Sequence, residues 1–258
     1  MRQLKTKILS NKQIAKGFYR MRLESPYLAK RTKPGQFFEI RCSKANKPLL
    51  RRPLSAHRIL DGGVELLYEA VGPGTEHLSR KTAGEHLDVV GPLGNGFNIS
   101  SDKRPAILVA GGVGVASLLA LAEKISSKRI GSYVIIGARK AQGVLCEKEL
   151  KKMGCFVMVS TEDGSRGHKG YATDILRHLL EVVKCQTSGI YACGPHPMLK
   201  AAAHIAYLSG TQCQVSLDER MACGIGVCLG CPVKVKTKGV YKMVCKDGPV
   251  FNAEEIAW

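Results

Sequence analysis

Four cysteines near the C-terminus constrain the fold of this chain more than any other feature. Cys223, Cys228 and Cys231 follow one another with C-x4-C-x2-C spacing, and Cys245 comes fourteen positions later. This is a ligand spacing of a two-iron, two-sulfur (2Fe-2S) cluster. Structural zinc sites usually have two C-x2-C pairs, whereas the first gap here is four residues. The segment is therefore expected to wrap a 2Fe-2S cluster, with a zinc site or simply buried cysteines as the alternatives.

Glycines and the remaining cysteines agree with this interpretation. Gly224, Gly226 and Gly230 allow a loop to approach closely and to aim backbone N–H groups at sulfur. The N-terminus lacks the apolar core of a signal peptide, and no apolar run is long enough for a membrane helix. Ten cysteines without an export signal indicate a reducing, cytoplasmic compartment and no membrane attachment.

The positive charge of the chain is concentrated at its N-terminal end. Residues 1–60 hold sixteen Lys and Arg against two acids, a net charge of +14 out of +18 for the whole chain. A face for an acidic partner or anionic cofactor, a nucleic-acid surface and a compositional habit of the source all remain open. No aromatic-rich platform or zinc-finger spacing accompanies the charge, so nucleic acid is not an expected partner.

The pattern of hydrophobic residues changes near residue 100. Before it, alternating segments such as 18–23, 37–41 and 64–71 are separated by glycine and proline turns, which predicts an antiparallel β-barrel. From about residue 103, buried strands alternate with helices, which predicts a parallel α/β nucleotide-binding domain. The expected domains are residues 1–100, 101–212 and, for the small C-terminal cluster module, 213–258.

A glycine turn follows the first strand predicted for the α/β region. Gly111, Gly112 and Gly114 stand between a buried strand and a helix, where free N–H groups can bind a pyrophosphate. The acidic residue expected about twenty positions later is replaced by Arg139 and Lys140. Nucleotide binding and a tight structural turn both remain open for this motif alone.

Further short motifs offer less specific signals. Residues 193–195 (CGP) follow a strand at the sheet edge where ligands bind, although Cys193 could be simply a buried small residue. Residues 51–55 (RRPLS) combine arginine and hydroxyl groups suited to flavin or phosphate, or form a charged strand entry. Residues 72–75 (GPGT) open a short helix that could cap a pyrophosphate or merely make a turn. Residues 161–170 form either a lid over a cofactor or a plain loop.

Taken in order, RRPLS, GPGT, GPLGNGF (91–97), GGVG (111–114), CGP and the four cysteines resemble one known family. They are similar to the electron transfer subunits of class 1B dihydroorotate dehydrogenases, a branch of the ferredoxin reductase-like family. The resemblance covers essentially the whole chain and is sharpest at residues 219–228 and 244–251. It implies an FAD-binding barrel, an NAD-binding α/β domain and a C-terminal 2Fe-2S module.

The resemblance also implies site residues. The expected FAD contacts are Arg52, Pro53, Leu54, Ser55, Leu67, Tyr68, Glu69, Gly74 and Thr75. The nicotinamide nucleotide is expected at Gly111, Gly112 and Gly114, with its ring near Cys193, Gly194 and Pro195. The metal ligands are Cys223, Cys228, Cys231 and Cys245. No separate catalytic side chain is expected.

The implied activity is oxidoreduction in de novo pyrimidine (UMP) biosynthesis. A partner catalytic subunit oxidises dihydroorotate on its own FMN, and electrons pass through the 2Fe-2S cluster and FAD to NAD+. The resemblance implies a heterotetramer with two copies of each subunit. The alternatives are an NAD(P)H-linked reductase subunit of a sulfhydrogenase or ferredoxin-NADP oxidoreductase, and, in a different class, a zinc-stabilised binding protein.

Overall fold

An antiparallel sheet forms the N-terminal part of the computed structural model, which describes residues 1–43 and 47–258. Its strands are β1 (Arg2–Ala15), β2 (Phe18–Glu24), β3 (Phe37–Arg41), β4 (Arg52–Ser55), β5 (Arg58–Leu60), β6 (Gly63–Glu69) and β7 (His86–Leu93). Two helices, α1 (Pro26–Arg31) and α2 (Pro73–Ser79), lie in its connections. The hydrogen-bonded order is β4-β3-β7-β1-β2-β6-β5.

This sheet curls around a core of its own. Residues alternate between buried and more exposed positions along β7, and β6 buries six of its seven residues. The core includes Ile8, Met21, Phe38 and Leu66. Strand β4 lies beside β6 without pairing to it, so the sheet forms a partly open barrel with β4 and β5 as edges. The predicted antiparallel β region is confirmed.

A second, mostly parallel sheet carries helices on both faces. Its strands are β8 (Ala106–Gly111), β9 (Ser132–Ala138), β10 (Phe156–Thr161), β11 (His168–Lys169), β12 (Gly189–Cys193) and β13 (Cys213–Ser216). Its helices are α3 (Val115–Ser127), α4 (Glu147–Lys152), α5 (Ala172–Val182) and α6 (His196–Leu208), with 3-10 turns at Gly112–Gly114 and Ala141–Gly143. Strands β8 and β12 are buried throughout, as expected for a sheet covered on both faces. The predicted α/β region is confirmed.

The strand order places two of the predicted motifs side by side. It runs β11-β10-β9-β8-β12-β13, so the chain moves outward from β8 in one direction and later continues from β12 in the other. The crevice beyond the carboxyl ends of strands at such a switch point is where open α/β sheets bind ligands. Gly111 ends β8 and Cys193 ends β12.

The C-terminal tail belongs partly to this second sheet. After β13 the chain makes a long excursion that contains the hairpin of β14 (Pro232–Lys234) and β15 (Tyr241–Met243). It returns as β16 (Val250–Asn252), antiparallel to β13, and ends after a 3-10 turn at Ala253–Glu255. The proposed module boundary at residue 213 therefore falls within a shared sheet, and the three domain ranges stay a prediction.

Some elements differ from the sequence-based expectations. The glycine-rich residues 91–97 give no sign of regular structure in the sequence, yet Gly91, Pro92 and Leu93 complete β7. Strand β1 and the short helix α4 were not predicted, because their apolar residues are too sparse for a clear period. No helix in the described part of the chain combines the length and apolar character needed to cross a membrane.

Candidate functional site

A cleft of about 1340 Å³ separates the barrel from the carboxyl edge of the parallel sheet. Its walls combine β4 and β6 from the barrel with the loops after β8, β9, β10 and β12. Fourteen of the fifteen predicted cofactor residues line it: Arg52, Pro53, Leu54, Ser55, Leu67, Tyr68, Glu69, Thr75, Gly111, Gly112, Gly114, Cys193, Gly194 and Pro195. The structure thus brings motifs distant in sequence around one space.

The fifteenth residue, Gly74, lies directly behind the cleft wall. A Cβ atom at this position would stand 2.6 Å from Nε of Arg52, so only glycine lets the arginine lie across the start of α2. Arg52 donates to the backbone carbonyls of Leu50 (2.9 Å) and Arg51 (3.1 Å). Among the described residues no carboxylate pairs with its guanidinium, which suits a group meant for a phosphate.

Two of the predicted flavin contacts have structural duties as well. Tyr68 is 2% exposed, stacks on Tyr19 with ring centroids 5.8 Å apart, and donates its hydroxyl to Oδ1 of Asn11 at 3.0 Å. Oγ1 of Thr75 accepts the N–H of Val71 at 3.0 Å and so caps α2. These side chains form the cleft wall, but their hydroxyl groups are engaged with protein atoms.

The two turns at the switch point are in direct contact. A Cβ atom on Gly114 would lie 2.2 Å from the carbonyl oxygen of Cys193, and one on Gly111 would lie 2.6 Å from Cδ of Pro195. Gly112 has φ +53°, in the left-handed region that favours glycine. Close packing therefore requires glycine at Gly111 and Gly114, whereas the backbone conformation favours it at Gly112. The turn leaves the N-terminus of the thirteen-residue helix α3 facing the cleft.

Cys193 is buried beneath these turns. Burial raises the pKa of its thiol, although the hydroxyl groups of Ser117 and Ser216 hydrogen-bond to it and act in the opposite direction. Ser117, Ser216 and Cys193 all line the cleft. The arrangement is a neutral, small, weakly polar surface of the kind that can face an uncharged ring.

The far end of the cleft contains an acidic residue that the sequence analysis did not identify. Glu162 directly follows β10, lines the cleft beside Arg139 and Lys140, and donates its backbone N–H to the carbonyl of Ala138 at 3.1 Å. A carboxylate at a strand end is the usual partner of a ribose 2′-hydroxyl in NAD sites. Glu162 follows β10 rather than β9, and the pairing of these two strands brings it beside the place where the sequence has Arg139 and Lys140.

The four predicted cluster ligands lie on the excursion between β13 and β16. Sγ of Cys223 accepts the N–H groups of Ile225 and Cys228, each at 3.5 Å. Sγ of Cys231 accepts the N–H of Cys245, also at 3.5 Å. Burial opposes ionisation of Cys223, but the backbone N–H donors outweigh it and lower its pKa to about 6. The loop therefore already favours a thiolate at its first ligand position.

The thiols of the four cysteines interact in two pairs, Cys223 with Cys228 and Cys231 with Cys245. In the described residues, 1–43 and 47–258, no group of three or more His, Cys, Asp or Glu side chains is tight enough to hold a single metal ion. A tetrahedral zinc site, with Zn–S distances of about 2.3 Å, would require such a group. Four thiols and converging N–H donors on a loop with left-handed residues Gly224, Gly226 and Leu229 fit a cluster of two iron atoms better.

The cluster loop begins at the wall of the cleft. Leu217, Glu219, Arg220 and Met221 line the cleft, and Cys223 is two positions farther along. From the barrel side, Glu39 of β3 lies against the loop, because a Cβ atom on Gly224 would stand 2.5 Å from Cγ of Glu39. Two segments, residues 217–221 and strand β3, thus connect the cluster ligands to the walls of the cleft.

Comparisons with known proteins agree with this architecture. Residues 108–204 match the family described as oxidoreductase NAD-binding domain. Residues 218–257 match the iron-sulfur cluster binding domain of dihydroorotate dehydrogenase B.

Two relatives that match along nearly the whole of this chain have the same name. A protein of Caldanaerobacter subterraneus subsp. tengcongensis is 42% identical, with 98% of each chain covered. One of Fusobacterium nucleatum is 39% identical, with 95% of each covered. Both are named dihydroorotate dehydrogenase B (NAD(+)), electron transfer subunit.

Solved structures show the same fold. The NADH-dependent reduced ferredoxin-NADP oxidoreductase structure aligns with a TM-score of 0.85 and 32% identity, covering 98% of this chain and 90% of the other. A ferredoxin NADP+ reductase from Neisseria gonorrhoeae with bound FAD and NADP aligns with a TM-score of 0.68 at 16% identity, covering 81% and 92%. The second similarity concerns the fold alone.

Proposed function

This chain belongs to the family of dihydroorotate dehydrogenase B (NAD(+)) electron transfer subunits, and we propose that it passes electrons from a dihydroorotate-oxidising partner to NAD+. Its cofactors are a 2Fe-2S cluster and FAD, with NAD as the diffusible substrate. One observation carries the proposal: residues 217–221 line the nucleotide cleft, and the chain continues directly from them into the loop of four cysteines.

The residues of the cleft have separate tasks in this proposal. Arg52 and the start of α2 at Gly74 and Thr75 bind the FAD phosphates, while Pro53, Leu54, Ser55 and the strand residues Leu67, Tyr68 and Glu69 form the flavin wall. Gly111, Gly112 and Gly114 admit the NAD pyrophosphate to the N-terminus of α3. Cys193, Gly194 and Pro195 form the surface beneath the nicotinamide. The flavin supplies the exchange between two-electron hydride chemistry and single electrons.

The cluster end of the molecule presents a surface for the partner. Ile225, Val227 and Leu229 alternate with the ligand cysteines and are 41%, 74% and 65% exposed. Exposed apolar side chains grouped in this way are typical of protein interfaces. We propose that the FMN-containing catalytic subunit covers them, that the complex is a cytoplasmic heterotetramer with two copies of each subunit, and that it acts in pyrimidine biosynthesis.

The domain ranges belong to the same proposal. Residues 1–100 would bind FAD, residues 101–212 would bind NAD, and residues 213–258 would hold the cluster. The shared pairing of β13 and β16 supports a rigid attachment of the cluster module to the NAD-binding sheet. The reductase type represented by the 32% identical structure is the second candidate, and the higher identity of the dihydroorotate dehydrogenase relatives favours the first.

The proposal is tested by reconstitution with and without the partner. The chain loaded with FAD and cluster should reduce an artificial acceptor such as ferricyanide with NADH, and should not oxidise dihydroorotate alone. Adding the FMN-containing subunit should produce dihydroorotate-dependent reduction of NAD+. Fully flavin-loaded protein without any NADH-dependent activity would show that the nicotinamide assignment is wrong, and a normal NADH activity that never couples to the partner would favour the second candidate.

A further inference from the structure

A buried histidine joins the barrel to the parallel sheet behind the cleft. His57 lies between β4 and β5 with none of its surface exposed, and its backbone N–H donates to the carbonyl of Glu65 at 2.9 Å. Its ring atom Nδ1 is 3.0 Å from the carbonyl oxygen of Ala116 in the first turn of α3. The side chain therefore belongs to the barrel and its hydrogen-bond partner to the nucleotide-binding sheet.

The protonation state of this ring follows from its surroundings. Burial lowers the pKa of His57 to about 4, so the imidazole is neutral near pH 7 and has one N–H group. A carbonyl oxygen can only accept, so the proton is on Nδ1, which donates to Ala116. Nε2 is left facing Sγ of Cys146 and Oε1 of Glu65, each at 3.9 Å. Within residues 1–43 and 47–258, the bond to Ala116 is thus the single short hydrogen bond of the ring.

This bond lies close to both cofactor walls. Ser55, on the flavin side of the cleft, is two positions before His57, and Gly114, in the glycine turn, is two positions before Ala116. Other polar contacts between the two sheets are more remote: Arg58 pairs with Glu123 farther along α3 at 2.6 Å, and Arg20 with Glu149 of α4 at 2.7 Å. Both of those pairs are partly exposed.

We propose that His57 is a positioning residue for hydride transfer: its hydrogen bond to Ala116 fixes the spacing between the flavin-facing strand β4 and the glycine turn that receives the nicotinamide. The inference rests on the proposed function of the cleft. Reacting rings must approach within a narrow range of distance, and a misplacement of about 1 Å can slow a reaction about 100-fold. A change in this bond should therefore alter the rate of the hydride step more than the affinity for NADH.

Three substitutions of His57 distinguish the effect of its hydrogen bond from the effect of filling a buried position. His57→Asn places an amide N–H close to the position of Nδ1, His57→Gln displaces the same amide by one methylene, and His57→Leu removes the donor. In the flavin- and cluster-loaded chain, rapid mixing with NADH gives the limiting rate of flavin bleaching and the apparent Kd for NADH. Arg58→Gln, which removes a contact to the same helix away from the turn, is the matched control.

The expected result is a split between rate and affinity. His57→Gln and His57→Leu should lower the limiting rate about 10-fold or more while changing the NADH Kd less than about threefold, and His57→Asn should stay within about threefold of the parent rate. Arg58→Gln should resemble the parent protein. If His57→Leu does not bind flavin, the comparison of Asn with Gln decides alone.

Two results would overturn the inference. Equal rates for the Asn and Gln variants, whether both slow or both normal, would show that the donor to Ala116 does not set the spacing. A large rise in the NADH Kd with an unchanged limiting rate would make His57 a binding determinant instead. If the unsubstituted protein shows no flavin bleaching by NADH, the proposed function of the cleft is wrong. Rapid mixing of that protein with NADH, before any variant is measured, separates this failure from a failure of the inference about His57.

Discussion

The nucleotide cleft and the cluster loop are built in opposite ways. The cleft is bounded by the ends of buried strands, and its turns fit together through backbone contacts such as that between Gly114 and Cys193. The loop of residues 217–249 has two strands of three residues each, four left-handed residues between its ligands, and exposed Val227 and Leu229. The packed core shapes the cleft, whereas the part of the loop around Cys228 is exposed and has little packing of its own.

The largest expected effect follows from removing one thiol. Cys228→Ser should abolish cluster incorporation, measured as iron content and visible absorbance, because a thiolate ligand is lost from a loop whose order is coupled to its metal. Bleaching of the flavin by NADH should continue at the parent rate, since the cleft does not use this residue. Cys185→Ser, a half-buried cysteine outside the loop, is the control. Simultaneous loss of cluster and flavin reduction would mean that the two regions fold as one.

The converse substitution affects the cleft alone. Gly114→Ala places a methyl group 2.2 Å from the carbonyl oxygen of Cys193, so the two turns must separate. NADH-dependent flavin bleaching should fall about 100-fold because the nicotinamide loses its position, while iron and flavin contents stay normal. Gly131→Ala, where the nearest atom is 3.9 Å away, is the matched control. A variant with normal NADH kinetics would contradict the assignment of this turn.

The smallest expected effect concerns the place where the two regions meet. Glu39 is 1% exposed, and neither of its carboxyl oxygens has a hydrogen-bond partner among the described residues. Burial raises its pKa to about 7, with Arg51 opposing and Cys223 reinforcing the shift. The pKa of Glu39 in the folded protein exceeds the ordinary value of 4.5. The contribution of Glu39 to the free energy of unfolding is therefore most favourable below about pH 4.5, and up to about 3 kcal/mol of it is lost as the pH rises through 7.

Thermal unfolding of the full chain measures this effect. Glu39→Gln cannot ionise, so its melting temperature should exceed that of the parent by an amount that grows between pH 5 and pH 8. The exposed Glu24→Gln should follow the parent at every pH. If the melting temperatures of Glu39→Gln and the parent depend on pH in the same way, the pKa of Glu39 is not raised where the barrel contacts the cluster loop.

The sequence predicted the elements whose residues repeat regularly. Strand β3 was expected at 37–41 and is found there, and the alternation of strands and helices expected from about residue 103 is found from β8 to α6. The sequence did not reveal pairings that join distant segments. Glu162 became recognisable only through the neighbouring strand β9, and His57 only through Ala116, because a lone histidine carries no periodic signal. The roles assigned to individual cofactor residues remain predictions until the substitutions above are measured.

Strands β13 and β16 hold the two ends of the cluster loop side by side. Ser216 is opposite Val250 in the ladder, so the chain leaves and re-enters the sheet at adjacent positions. Residues 217–249 are therefore an insertion whose ends lie a hairpin's width apart, and its Met221, Cys231, Val244 and Cys245 pack into the core of the parallel sheet. A loop that carried a different redox centre could start and end at the same two strands, but it would have to replace these core side chains as well, because an unfilled core position costs stability.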